Sequence, residues 1–182
     1  IVAIYNKEIK LDSDMRSKSL SMSKKVRHRG PDWSGIFTSD NAILAHERLS
    51  IVDIKSGKQP IISNNEELIL AVNGEIYNHL EIRKKLLVKG FSLWKGNSDT
   101  ETLLESIALL GLEESLKLLN GMFAFVLLDK EEKTLIMVRD RIGEKPLYYG
   151  FNNGTFFFGS ELKSFEPHPD WNPSLNYDAI HL

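Results

Sequence analysis

Asn73, Gly74 and Glu75 arrive together at the end of an apolar run, Leu68 to Val72. A carboxamide N–H beside a glycine N–H is donor chemistry suited to a developing oxyanion. The adjoining carboxylate suits an ammonium group. Arg48 interrupts a strand-like region in His46-Glu47-Arg48-Leu49-Ser50-Ile51-Val52-Asp53. A guanidinium there can take a carboxylate in bidentate fashion, and the nearby backbone of Ile51 and Val52 can add hydrogen bonds. Asp99 offers a second carboxylate just inside a helix start. Taken singly, each has an ordinary role: a turn, a surface arginine, a charge at a helix dipole. Together they describe an amino-acid site, with Arg48 for the α-carboxylate and Glu75 and Asp99 for the α-ammonium. Asn73 and Gly74 would polarise a side-chain carbonyl. Spacing alone does not bring them together.

Other chemistries fall away. Gly30 to Gly35 has the glycine spacing of a phosphate loop, but Ile36 stands where lysine is needed. His46-Glu47 begins like a zinc-protease motif, but Ser50 holds the second histidine position. The remaining histidines show no metal spacing, so no metal site is expected. Asn153-Gly154-Thr155 matches a glycosylation sequon but reads better as a hairpin turn. The 182 residues are 42% hydrophobic with a formal charge of −2, enough for one domain with a core. Near-neutral charge gives no footprint for nucleic acid or an anionic membrane. No apolar run approaches the ~20 residues of a membrane helix, and the start carries no secretory signal. A cytoplasmic setting is expected. There is no cysteine, which excludes a disulfide framework and any thiol among these residues.

The elements that must position these groups follow from periodicity. Ile1 to Tyr5 reads as a strand. Met15, Ser19, Met22 and Val26 mark the inner face of a helix from about Asp14 to Val26, with Ser13 as N-cap. The loop from His28 to Asp32 ends it. Strands are expected at Ser34–Thr38, Ala42–Glu47, Leu49–Val52 and Leu68–Val72. Ile82, Leu86 and Leu87 mark a helix closed by Gly90. Ser98 to Glu101 has the form of a capping box before a helix with Leu103, Leu104 and Ile107 inward, and Leu112–Leu119 adds a short helix. Met122–Leu128 with Thr134–Arg139, and Leu147–Phe151 with Thr155–Phe158, read as hairpins. A short helix is expected from Glu161 to Phe165. Strands at both ends and helices in the middle make an α+β fold with largely antiparallel sheets.

The stretches from Arg27 to Gly35, His46 to Asp53, Asn73 to Asn78, Ser98 to Glu101 and Asn120 to Phe125 are similar in order to the glutaminase domain of class II glutamine amidotransferases. Arg139 to Gly143, Pro146 to Gly150 and Ser160 to Lys163 continue the match. It is nearest to asparagine synthetase. The resemblance implies an N-terminal-nucleophile hydrolase fold, a four-layer αββα sandwich with antiparallel sheets. It implies hydrolysis of glutamine to glutamate and ammonia. By resemblance, Arg48 holds the α-carboxylate, helped by the backbone of Leu49, Ser50, Ile51 and Val52. Glu75 and Asp99 bind the α-amino group, Asn73 and Gly74 form the oxyanion hole, and the His28–Asp32 loop shapes the pocket.

One departure is severe. The family begins with Cys-Gly, the cysteine thiol being the nucleophile and its own amine the base. That start would lie just ahead of Ile1, a start beyond these residues being favoured over natural loss, and the chain as given is expected to be inactive. The family also attaches a C-terminal synthetase domain that uses ATP and Mg²⁺ to activate aspartate; its pyrophosphatase loop is absent here, and no cofactor is expected in this domain. The expectation is therefore a glutamine amidotransferase domain over residues 1–165, with 166–182 as domain edge or linker. Its partners would be glutamine and a synthetase domain, and a homodimer is compatible with it. Two rivals stand beside it: a glutaminase for another acceptor, such as a surface-polysaccharide sugar or sugar phosphate, and a dead domain that only binds glutamine.

Overall fold

A computed structural model describes residues 1–8, 10–50, 53 and 56–178. Its core follows the period of two in its strands. β1 (Val2–Asn6) sends Val2 and Ile4 to one face, and Ile1 and Ala3 to the other. The same alternation places Leu44 of β3 (Ala42–Arg48) on the second face and Ile43 on the first. β1 pairs antiparallel with β3 on one side and with β9 (Thr155–Gly159) on the other. β2 (Trp33–Thr38) and β8 (Tyr148–Asn152) complete a sheet of order β2-β3-β1-β9-β8. The second sheet is β4 (Ile61–Ile62), β5 (Leu68–Ile76), β6 (Gly121–Asp129) and β7 (Thr134–Arg139), also antiparallel.

Ala3, Leu44 and Phe158 of the first sheet meet Ile69, Ala71, Val126 and Leu128 of the second. Outside the first sheet, α1 (Ser13–Lys24) brings Met22 against Val2, Ile43 and Phe157. Outside the second, α2 (His79–Val88) and α3 (Asp99–Leu110) bury Ile82, Leu86, Leu103 and Leu104 over Leu70, Val72 and Phe125. α4 (Leu112–Leu118) flanks them. The result is a four-layer αββα sandwich with antiparallel sheets. Among the described residues no helix is long and apolar enough to cross a membrane.

Several expectations need correction. The N-cap of α1 is Asp12, whose carboxylate accepts from Met15 N, and not Ser13. Leu49 and Ser50 are not in a strand, and Ile51 and Val52 lie outside the described residues. Leu87 is exposed, because α2 is covered on one side only; Gly90, at φ 92°, does close it, with Phe91 N reaching Leu86 O. Glu161–Phe165 is a 3₁₀ turn from Leu162. The largest change concerns β5, which runs on through Asn73, Gly74 and Glu75 to Ile76. That segment is ladder, Gly74 standing opposite Phe123, and not the turn after a strand.

Candidate functional site

Strand ends converge at one end of the sandwich. β1 starts there, β3 finishes there with Arg48, and β5 delivers Asn73 to Glu75. Between them lies a cavity of about 370 Å³, within the span of small-molecule sites, ~300–1,000 Å³. Arg48, Leu49, Asn73, Gly74, Glu75 and Asp99 all line it. Of the residues expected in the site, Ser50 is not among the lining; its N–H donates to Asp32 Oδ2 at 2.8 Å. Ile51 and Val52 were also expected there and fall outside the described residues.

Arg48 is buried at the end of β3 and donates from Nη2 to Asp53 O at 2.7 Å. The chain wraps closely round this guanidinium: a Cβ on Gly57 would stand 2.4 Å from Nη2. Strand alternation sends the preceding Glu47 the other way, where it accepts from Ser23 (2.8 Å), Ser34 (2.6 Å) and Arg27 (3.0 Å). A Cβ on Gly30 would fall 2.2 Å from Glu47 O, so only glycine lets the 3₁₀ turn Arg27–Arg29 return against β3. His28 and Arg29 of that turn line the cavity, as the sequence led one to expect of this loop. Both donate to Glu161, at 2.9 and 3.2 Å. Burial raises the Glu161 carboxyl, but hydrogen bonds from Lys163, Arg29 and His28 outweigh it and hold the group below its ordinary range.

The edge of β5 away from β6 carries the most informative pattern. Alternate residues of a strand turn their backbone groups to the same side. Val72 N donates to Gln59 Oε1 at 2.6 Å, and Val72 O accepts from His46 Nε2 at 2.8 Å. Ile76 N donates to Asp99 Oδ2 at 2.9 Å. Gly74 lies between them in the same register, and among the described residues no side chain takes its N–H. Its φ is 151° and a Cβ would sit 2.1 Å from Met122 O, so the position admits glycine alone. Beside it, the Nδ2 of Asn73 is buried and finds no hydrogen-bond partner among the described residues. An unmet buried donor costs about 1–3 kcal/mol, a cost that an incoming acceptor would remove.

Asp99 opens α3 and is buried. Ser98 caps the helix, accepting from Glu101 N at 3.1 Å. The reciprocal half of the expected capping box is absent, because Glu101 turns away from the Ser98 N–H to Lys95 N (2.6 Å), Gly96 N (3.0 Å) and Arg83 (3.0 Å). One Asp99 oxygen is occupied by Ile76 N, so Glu75, half-buried on the cavity wall, supplements the negative charge. The cavity thus has carboxylates and a guanidinium in its wall with a donor pair on its β5 side, a lining suited to a zwitterion bearing a side-chain carbonyl.

Sequence reasoning missed Gln59, His46 and Lys145, which also line the cavity. Gln59 sits in a loop without periodicity and carries no local signal. His46 was weighed only as a metal ligand. It is a strut between the sheets, joining β3 to Val72 of β5. Burial pushes it down to about 3, so the ring is neutral, with its proton on Nε2 toward the carbonyl. Among the described residues no group of three or more His, Asp or Glu side chains could hold a metal ion.

The whole chain, residues 1–182, matches the model of the glutamine amidotransferase domain. A probable glutamine-hydrolysing asparagine synthetase of Dictyostelium discoideum is 41% identical over 177 residues, spanning 93% of this chain and 31% of that protein. Asparagine synthetase B of Escherichia coli (strain K12) is 46% identical over 162 residues, spanning 88% of this chain and 29% of that protein. The chain therefore spans about a third of the length of these curated relatives. Among solved structures, the glutamine phosphoribosylpyrophosphate amidotransferase of B. subtilis superposes with a TM-score of 0.73 over 91% of this chain and 42% of that one. At 22% identity that likeness speaks for the fold alone, the four-layer αββα sandwich with antiparallel sheets. On the match across its whole length and the identity to these relatives, the chain belongs to the glutamine amidotransferase domain family.

Proposed function

We propose that this domain binds L-glutamine and is the glutamine-hydrolysing module of an asparagine-synthetase-like amidotransferase. Ammonia released here would serve ATP-dependent amidation of aspartate by a cytoplasmic partner domain beyond these residues. Arg48 takes the α-carboxylate, Glu75 and Asp99 take the α-ammonium, and Asn73 Nδ2 and Gly74 N–H receive the amide oxygen. The observation that carries this reading is the buried Asn73 Nδ2, without a hydrogen-bond partner among the described residues, beside a Gly74 N–H set between two occupied N–H groups of the same edge.

The nucleophile in this reading is a cysteine thiolate carried at the start of β1, whose Ile1 lines the cavity. The thiolate adds to the glutamine amide carbon and the carbonyl electron pair moves onto oxygen, between Asn73 and Gly74. The oxyanion pair re-forms the carbonyl, the carbon–nitrogen bond breaks, and the nitrogen takes the proton that the cysteine's own amine drew from the thiol, departing as ammonia and leaving a thioester. Water then adds to the thioester, releasing glutamate and restoring the thiol. The 182 residues contain no cysteine, so the chain alone binds glutamine without hydrolysing it. ATP and Mg²⁺ belong to the acceptor half, and no step here runs through them.

Calorimetry is expected to show glutamine binding to this chain, weakened tenfold or more by Arg48→Ala, on the order of one charge-assisted bond. Placing Cys-Gly ahead of Ile1 is expected to give glutaminase activity that Ala-Gly does not give. Hydrolysis by protein shown by mass to begin at Ile1 would overturn the cysteine mechanism.

A further inference from the structure

Arg48 and Asp99 stand on separate segments. One ends β3, with Asp53 and Gly57 following it in the chain; the other opens α3 behind the stretch Lys95–Asn97. Two groups meant for the carboxylate and the ammonium on one α-carbon must be held at a fixed separation, or the binding energy goes into ordering them. The α3 side is well anchored. Glu101 takes Lys95 N and Gly96 N, and Arg83 donates to Gly96 O, Asn97 Oδ1 and Glu101 while lying 4.0 Å over the Trp94 ring.

Asp53 joins the Arg48 segment to that anchor. Its carbonyl accepts from Arg48 Nη2 at 2.7 Å and from Gly57 N at 3.1 Å. Its carboxylate crosses to the other segment, Oδ2 accepting from Asn97 N at 2.6 Å, while Ser56 N (3.1 Å) and Ser56 Oγ (2.5 Å) steady it. The backbone at Asp53 is left-handed, φ 50°, a conformation aspartate tolerates better than most side chains. Gly96 is what lets the segments approach: a Cβ there would lie 2.6 Å from Ser56 Oγ and 2.7 Å from Asp53 Oδ2. The Ser56 hydroxyl, then Asn97 N, hold the Asp53 carboxyl below its ordinary range, so it is charged at neutral pH.

We infer that Asp53 is a positioning residue for the amino-acid end of the ligand, its backbone aiming Arg48 and its carboxylate fixing Arg48 relative to Asp99. This rests on the glutamine reading above. Asp53 itself touches no ligand in this scheme and acts through Arg48.

The experiment is calorimetric titration of this chain with L-glutamine and with 4-aminobutanamide, the analogue lacking the α-carboxylate. Asp53→Ala is expected to weaken glutamine about tenfold, the scale of one lost charge-assisted contact. It is expected to leave the weaker binding of the analogue within about twofold, since Arg48 has nothing to grip there. In an Arg48→Ala background, Asp53→Ala is expected to add nothing, because coupled residues are non-additive. Gly96→Ala attacks the same link from the other segment and is expected to reproduce the glutamine defect, which keeps the test open if Asp53→Ala folds poorly. Equal loss for both ligands, or additive losses with Arg48→Ala, would overturn the link. Glutamine binding that is sensitive to Arg48→Ala yet indifferent to Asp53→Ala and Gly96→Ala would sink the link and leave the glutamine site standing. No glutamine binding by the unaltered chain would sink both.

Discussion

At the scale of single residues, the site carries a stability cost that a ligand can remove. Asn73 buries an amide donor with no partner among the described residues, whereas a typical buried donor is paired. Removing it should relieve the folded chain while harming function. Asn73→Ala is expected to leave the urea midpoint unchanged or slightly raised, within about 1 kcal/mol of the unaltered chain. In the protein carrying Cys-Gly ahead of Ile1, the same change is expected to lower kcat about 100- to 1,000-fold, the worth of one oxyanion donor. Paired denaturation and glutaminase assays check both halves. A large loss of stability with Asn73→Ala would show that the side chain is structural. Gly74 differs: its φ of 151° and the closeness of Met122 O make it a requirement of the ladder as well as a donor.

At the scale of elements, the chemistry was more legible than the scaffolding. Arg48, Asn73, Glu75 and Asp99 stood out because guanidinium, carboxamide and carboxylate declare their chemistry by type, and the cavity gathers all four. The strands β1, β3 and β6 were legible as apolar runs, but their faces were not, because both sides of each are buried and the sequence does not alternate. The extent of β5 was not, because Asn73-Gly74 has the composition of a turn and tertiary pairing with β6 overrides it. Nor was Gln59, whose part depends on an open strand edge reached from a distant loop. Glu101 shows the same limit. Its position three after Ser98 suggested a local cap, but the side chain serves tertiary structure. It is 2% exposed and holds two backbone N–H groups and Arg83. Glu101→Ala would leave that half-buried guanidinium and both donors uncompensated. The expected cost is about 3–5 kcal/mol, read as a fall in urea midpoint at unchanged slope. A cost below 1 kcal/mol would mean that the Lys95–Asn97 stretch finds other partners.

At the scale of the whole molecule, two buried histidines in different layers make stability depend on pH in one direction. His46 joins the two sheets; His168 packs edge-on against Phe157, ring centroids 4.3 Å apart, on the α1 side of the first sheet. Burial is the chief cause of both shifts, pushing His46 down to about 3 and His168 to about 4 from an ordinary 6.5. Between pH 6.5 and those values the unfolded chain binds protons at both residues and the folded chain does not. Acid therefore favours unfolding: the contribution is fully present above pH 6.5 and is lost as pH falls toward 4 and then 3. Each histidine contributes a slope of up to about 1.4 kcal/mol per pH unit in this window. Below it, Asp53, held low first by the Ser56 hydroxyl and then by Asn97 N, adds a loss of the same sign. Urea unfolding at pH 7.5, 6 and 5 is expected to give falling stability, and His168→Gln is expected to remove about half of that slope whatever it does to stability at pH 7.5. Because His168 lies outside the cavity, glutamine binding at pH 7.5 should be unchanged in the same variant. An unaltered pH slope in His168→Gln would show that the ring accepts its proton without unfolding the segment around it.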